Sequence, residues 1–131
     1  MRIVIPGEPR GKQRPRFSRR TGATYTPSET VQYEKAVKAL AWAAGKPAEG
    51  PVSLSVCAMY AIPKSASKAQ RAAMRDGEIL PQKKPDIDNV VKIIMDALNG
   101  AAYKDDKQVV SVFASKFYDD DPKVIVEVEQ V

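Results

Sequence analysis

Histidine is absent from this 131-residue chain, and cysteine occurs once, as Cys57. The first absence removes the commonest general base and the commonest transition-metal ligand together, so no Ser-His or Cys-His nucleophile can be built. The second excludes a disulfide framework and a cysteine-based zinc site within the chain. No stretch approaches the roughly 20 apolar residues of a membrane span, and Met1 to Pro9 hold no apolar run long enough for a signal peptide. A cytoplasmic protein with no membrane partner is therefore expected. Its chemistry has to come from carboxylates, lysine, tyrosine or a metal, and an oxygen-only ligand set suits magnesium or manganese.

What is present is charge, unevenly spread. The net charge of +5 divides at Lys84: residues 1–84 hold 16 Lys and Arg against 6 Asp and Glu, or +10, and residues 85–131 hold 5 against 10, or −5. A basic half points to a polyanionic partner. The acidic half beside it reads either as solvated turns or as cation binding. The length, with 44% hydrophobic residues, fits one domain over residues 1–131.

Arg2 to Ile5 reads as a strand stopped by Pro6-Gly7. The arm over residues 9–20 carries Arg10, Lys12, Arg14, Arg16, Arg19 and Arg20 with no acid, and its spaced Pro and Gly forbid a helix. Such an arm is either a nucleic-acid contact or a solvated loop. A helix is predicted to start with Thr26 as cap, Pro27 in the first turn and Glu29 closing a capping box. Tyr33, Val37, Leu40, Ala41 and Ala44 share its apolar face, and Gly45 and Pro47 end it.

Val52 to Ala61 alternates, with Val52, Leu54, Val56, Ala58 and Tyr60 on the side expected to be buried. Residues 62–84 form a basic insertion around a short helix capped by Ser67 and Gln70 and closed by Gly77. Its alanine-rich face should pack weakly. A further helix carries the stripe Val91, Ile94, Met95 and Leu98. Strands over Gln108 to Tyr118 and Lys123 to Glu129 close the chain. Asp119 to Asp121 between them reads as a solvated turn that nothing basic or apolar frames. The order β-α-β-α-α-β-β implies an α+β fold, a single domain with helices packed on a mixed β-sheet.

Within the acidic half, Asp86 and Asp88 stand two apart after Pro85, in a segment read as extended, where alternate side chains point the same way. Asp88, Lys92 and Asp96 follow at spacings of four, on one polar stripe of the helix. Asp105-Asp106 comes after a short connection that turns back toward that helix. Were it to reach Asp86 and Asp88, three hard oxygen ligands would meet beside one lysine, a set suited to phosphodiester hydrolysis with metal ions. Taken alone, an Asp-x-Asp before a helix is most often a cap and its neighbour, and Lys92 with Asp96 an exposed ion pair.

The run Lys84-Pro85-Asp86-Ile87-Asp88-Asn89-Val90-Val91-Lys92, continued by Asp96-Ala97-Leu98-Asn99-Gly100 and Asp105-Asp106-Lys107-Gln108-Val109, resembles the signature of the RusA family of Holliday-junction resolvases. Gly11-Lys12-Gln13-Arg14-Pro15-Arg16 and Tyr25-Thr26-Pro27 resemble its phage-type members. The resemblance implies a magnesium-dependent homodimer, with manganese as a substitute, that nicks four-way DNA junctions symmetrically in recombination and repair. It makes Asp86, Asp88 and Asp106 the catalytic metal ligands, Lys92 the catalytic lysine and Asp105 a helper. Arg10, Lys12, Arg14, Arg16, Arg19, Arg20, Lys68, Arg71, Lys83 and Lys84 are the expected DNA contacts. The chain departs from the shortest members in its 62–84 insertion. Two other readings stay open: a branched-DNA-binding module without catalysis, and a metal-dependent hydrolase of small phosphates.

Overall fold

Strict alternation decides the centre of the molecule. In β4 (Val52–Ala61) every second residue, from Val52 to Tyr60, is buried, as the sequence pattern predicts. The computed structural model describes residues 1–131, and in it β4 lies inside a four-stranded sheet of order β1-β6-β4-β5. β1 is Arg2–Pro6, β5 is Val109–Asp119 and β6 is Lys123–Gln130. β6 is antiparallel to both β1 and β4, whereas β5 runs parallel to β4, so the sheet is mixed. A two-residue-per-strand hairpin, β2 (Arg16–Phe17) with β3 (Thr24–Tyr25), stands apart from it and folds the second half of the basic arm.

Two helices cover one sheet face. α1 (Ser28–Ala44) buries Thr30, Val37 and Ala41, and α3 (Ile87–Leu98) buries Val90, Ile93, Ile94, Ala97 and Leu98. Val37, Ala41 and the buried residues of α3 join Ile3, Ile5, Val124 and Val126 in one hydrophobic core. The buried stripe of α3 is thus turned slightly from the predicted one, leaving Val91 and Met95 only half-buried. α1 also begins differently. Pro27 keeps an extended ψ of 139° and takes the cap position with no side-chain bond, so the Thr26 to Glu29 capping box does not form. Glu29 lies instead 3.7 Å from Arg10.

The box at Ser67 and Gln70 does form, starting α2 (Lys68–Arg75), which buries no residue. α2 is tied to the rest by a two-toothed ion pair from Arg75 to Asp120 at 2.8 and 3.0 Å. This corrects the reading of Asp119 to Asp121 as unframed, since Lys123 also pairs with Asp119 at 2.7 Å. Arginine and lysine from outside the turn found partners that local sequence could not indicate. No helix is long and apolar enough to cross a membrane.

The opposite sheet face is not covered by α1 or α3, and α2 runs against the edge strand β5. Phe113 and Phe117 of β5 are 72% and 38% exposed there, in register with Ser55 and Met59. Val4 and Ile125 pair on the same face toward the other edge.

Candidate active site

Because β5 is parallel to β4, the chain leaving β4 must travel back along the sheet before β5 can start. α3 makes that return. Its N-terminus lies at the Tyr60 end of β4, where the Tyr60 hydroxyl donates to the Pro85 carbonyl at 2.6 Å. Burial first, then the nearby carboxylates of Asp86 and Glu8, push the Tyr60 phenol up to about 12, so it stays a protonated donor. The alternation of β4 marks this tyrosine as a core residue and nothing more. Its polar end anchors the residue before Asp86.

Asp86 takes the N-cap position with extended backbone, and α3 starts at Ile87. The pair is therefore not an extended Asp-x-Asp. Asp88 sits in the first helical turn, and both carboxylates belong to the N-terminal end of α3, where the helix dipole favours negative charge. Neither is consumed by structure in the usual way: Asp86 makes no cap hydrogen bond, and Asp88 Oδ1 accepts only from the Asn89 N–H, at 2.9 Å. Both are exposed. Lys92, one turn on, is exposed and enters no salt bridge. Its expected partner Asp96 is held at 3.1 Å by Lys12.

Lys12 shows what the first half of the basic arm does. Its backbone N–H donates to the Asn89 carbonyl at 2.9 Å, and its ammonium bridges Glu34 of α1 and Asp96 of α3. Gly11 allows this approach, because a Cβ there would fall 2.8 Å from Pro85 Cβ and 3.1 Å from Asn89 Cβ. Residues 9–13 are thus docked on α3, and Lys12 is spent inside the protein. Arg14, Arg16, Arg19 and Arg20 remain exposed on the hairpin side. Among the other basic residues, Lys68 and Lys84 are exposed and Arg71 donates to the Lys64 carbonyl at 2.9 Å. Lys83 lies over the rings of Tyr60 and Tyr118. Lys116, which no sequence pattern singles out, joins this group by donating to the Lys83 carbonyl at 2.7 Å.

The return through α3 also fixes where the third acid goes. Asp106 opens a short 3-10 turn (Asp106–Gln108) just before β5, whose Val109 pairs with Val52 at the opposite end of β4 from Tyr60. The 12 residues of α3 span about 18 Å, and Asp106 lies toward the opposite end of the helix from Asp86. It gathers instead around Tyr103, a fully buried residue whose hydroxyl donates to the Met95 carbonyl at 2.8 Å. Burial, followed by Asp106, Asp96 and Asp105, pushes the Tyr103 phenol well above its ordinary value. No three acidic side chains converge closely enough to hold one metal ion. Asp105 is engaged within the turn. Its carboxylate accepts from the Lys107 N–H at 2.9 Å, capping the turn, and this bond holds it below the usual carboxylate range.

Between the docked arm and α3 lies an open cavity of about 550 Å³, lined by Pro9 to Gln13, Glu29, Thr30, Lys84 to Asp86, Asn89 and Ile93. Asp86 is therefore among the residues that line this cavity, framed by basic residues from the arm and from the end of the insertion.

The family profile described as endodeoxyribonuclease RusA matches residues 6–129. The chain is also 38% identical, over an alignment of 138 positions, to the uncharacterized protein YqaN of Bacillus subtilis (strain 168), with 100% of this chain and 96% of that one covered.

Proposed function

This chain belongs to the RusA endodeoxyribonuclease family, and on that premise we propose that it is a magnesium-dependent nuclease of the cytoplasm that resolves four-way DNA junctions by paired nicks. Residues 1–131 act as one catalytic domain. The observation that carries the reading is the pair of exposed carboxylates, Asp86 and Asp88, left free of capping at the start of α3 beside an unpaired Lys92. Hard oxygen donors of this kind fit magnesium, which is commonly held by one or two carboxylates plus substrate phosphates and waters. A bound magnesium would neutralise charge on the phosphate and activate a water.

The chain's own groups supply the rest. Asp86 and Asp88 would hold the ion at the α3 N-terminus, whose free N–H groups and dipole also favour the phosphate. Lys92 faces the charge that develops on the phosphate as the bond breaks. Arg10, Arg14, Arg16, Arg19 and Arg20 on one side, and Lys68, Arg71, Lys83 and Lys84 on the other, are the phosphate contacts that hold the strands. Lys12 keeps the arm docked rather than gripping DNA. Asp106 lies too far along α3 to serve the same ion within one subunit.

The test is cleavage of four-way junction, flap and plain duplex side by side in magnesium. The junction should be cut and the duplex spared. The separation of Asp106 from the other two acids favours a second reading, a branched-DNA-binding module. It predicts salt-sensitive binding with no cutting in magnesium or manganese.

Paired cuts need two sites, and one subunit offers one, so the working unit is a homodimer. The sheet face turned away from α1 and α3 is its interface. Phe113 and Phe117 at one edge and Val4 and Ile125 toward the other give it apolar surface, and Arg2, Lys123, Glu127 and Glu129 on β1 and β6 supply both signs of charge for a self-complementary two-fold patch. Phe113→Asp is expected to leave the monomer folded, since Phe113 is already 72% exposed. It should weaken the dimer by about 30-fold or more, the scale of a hot-spot residue. Sedimentation at fixed protein concentration checks this, and an unchanged dimer would place the interface elsewhere.

A further inference from the structure

The cavity beside Asp86 has a lining that a phosphate alone does not explain. At about 550 Å³ it is in the size range of small-molecule sites, yet Ile93 is the only hydrophobic residue in its wall. A phosphate site is built from donors. Here Glu29 and the amide of Asn89 bring acceptors in among the cations Arg10 and Lys84, with the Gln13 amide beside them. Donors and acceptors side by side match the hydrogen-bonding edge of a nucleobase, with the cations left for the phosphates that flank it.

One wall is pre-set. Thr30 is 2% exposed, and its hydroxyl donates to Gln13 Oε1 at 3.2 Å. Burying a hydroxyl is costly unless its bond is made, and this bond satisfies the oxygen of the Gln13 amide. The amide nitrogen is then left as a free donor at the cavity. The arm bearing Gln13 is in turn clamped by the close approach of Gly11 to Pro85 and Asn89.

We propose that this cavity takes one unstacked nucleobase of the cut strand, next to the phosphodiester at Asp86, with Gln13 as the residue that reads its edge. The inference rests on the nuclease reading above, and it places the reading of a base at the cut site in this cavity. A base is most cheaply extruded where stacking is already broken, which is the case at a branch point.

The experiment uses the full chain and junctions carrying 2-aminopurine at successive positions across the branch, bound at saturating protein in EDTA. A base drawn out of the stack brightens. The wild type should brighten one position, and Gln13→Ala, or Thr30→Val if the first variant is unstable, should lose that signal while the junction stays bound. In magnesium, the preference among cut sites on a sequence-randomised junction should flatten about tenfold in Gln13→Ala, a fold-change typical of losing one base contact. No bright position, or the same one in all three proteins, would overturn the pocket even if junctions are cut. Brightening that depends on Gln13 without any cutting would leave the pocket standing and remove the nuclease reading alone.

Discussion

Asp88→Asn will bind a four-way junction as tightly as the unaltered chain and cut it about 10³-fold more slowly, the several kcal/mol that metal-based charge stabilisation contributes. The substitution is close to structurally silent. The one bond Asp88 makes, from the Asn89 N–H to Oδ1, is available to an asparagine oxygen as well. The residue is exposed, so neither packing nor a buried partner is lost. What disappears is the negative charge a magnesium ion needs. Asp86→Asn should behave alike, because the Asp86 carboxylate caps nothing. Single-turnover cutting rates, gel-shift affinity without magnesium and helix content measured on the same preparations separate the two effects. Normal cutting by both variants would end the assignment. Loss of cutting in Asp106→Asn as well would mean that a second copy brings its own Asp106 to this ion, because within one subunit α3 keeps the two ends apart.

How far the sequence could be read divides by the range of the interactions concerned. β4 was legible residue by residue, because alternation is imposed locally by the pleat and both of its neighbours leave the same side buried. The Ser67 to Gln70 box was legible because all its atoms lie within one turn. The similar pattern at Thr26 to Glu29 failed for a reason outside it: Pro27 stays extended and Arg10, from the docked arm, takes Glu29. The segment of the acidic pair reads as extended, yet α3 starts between the two aspartates.

The larger miss was topological. A short connection from Gly100 to Asp105 suggests a turn back toward the helix and leaves open whether it reaches Asp86 and Asp88. It returns only to its end, because the strand that follows pairs in parallel with β4. Periodicity does not carry strand direction, so no local signal could have told Asp106 from a neighbour of Asp86. The role of Lys12 was hidden for the same reason. In sequence it is one of six cations in an arm with no acid, and its two partners are 22 and 84 residues away. The site therefore consists of parts the sequence names and an assembly that it does not.

Gly11→Ala tests that assembly most directly. At a glycine with ordinary φ, adding a methyl group stabilises by about 0.4–1 kcal/mol through the unfolded chain. Gly11 has ordinary φ but no room: the new Cβ would lie 2.8 Å from Pro85 Cβ and 3.1 Å from Asn89 Cβ, and both of those atoms are fixed to backbone. Overpacking of this kind costs about 1–3 kcal/mol, so the clash outweighs the entropic gain and the arm must lift. Lifting breaks the Lys12 N–H bond to Asn89 and strains the ammonium bridge to Glu34 and Asp96. It also moves the cavity wall that faces Asp86. A displacement of about 1 Å at a reacting centre is enough for a 10²-fold loss of rate, and that is the expected fall in junction cutting. Gly45→Ala is the matched control, because its Cβ would meet only the flexible end of Met1, at 3.4 Å. It should change stability by less than about 1 kcal/mol and leave cutting intact. Urea unfolding and cutting rates of the two variants side by side give the answer. If Gly11→Ala proves as harmless as Gly45→Ala, the arm is not seated on α3, and both the Lys12 bridge and the cavity it walls would go with it.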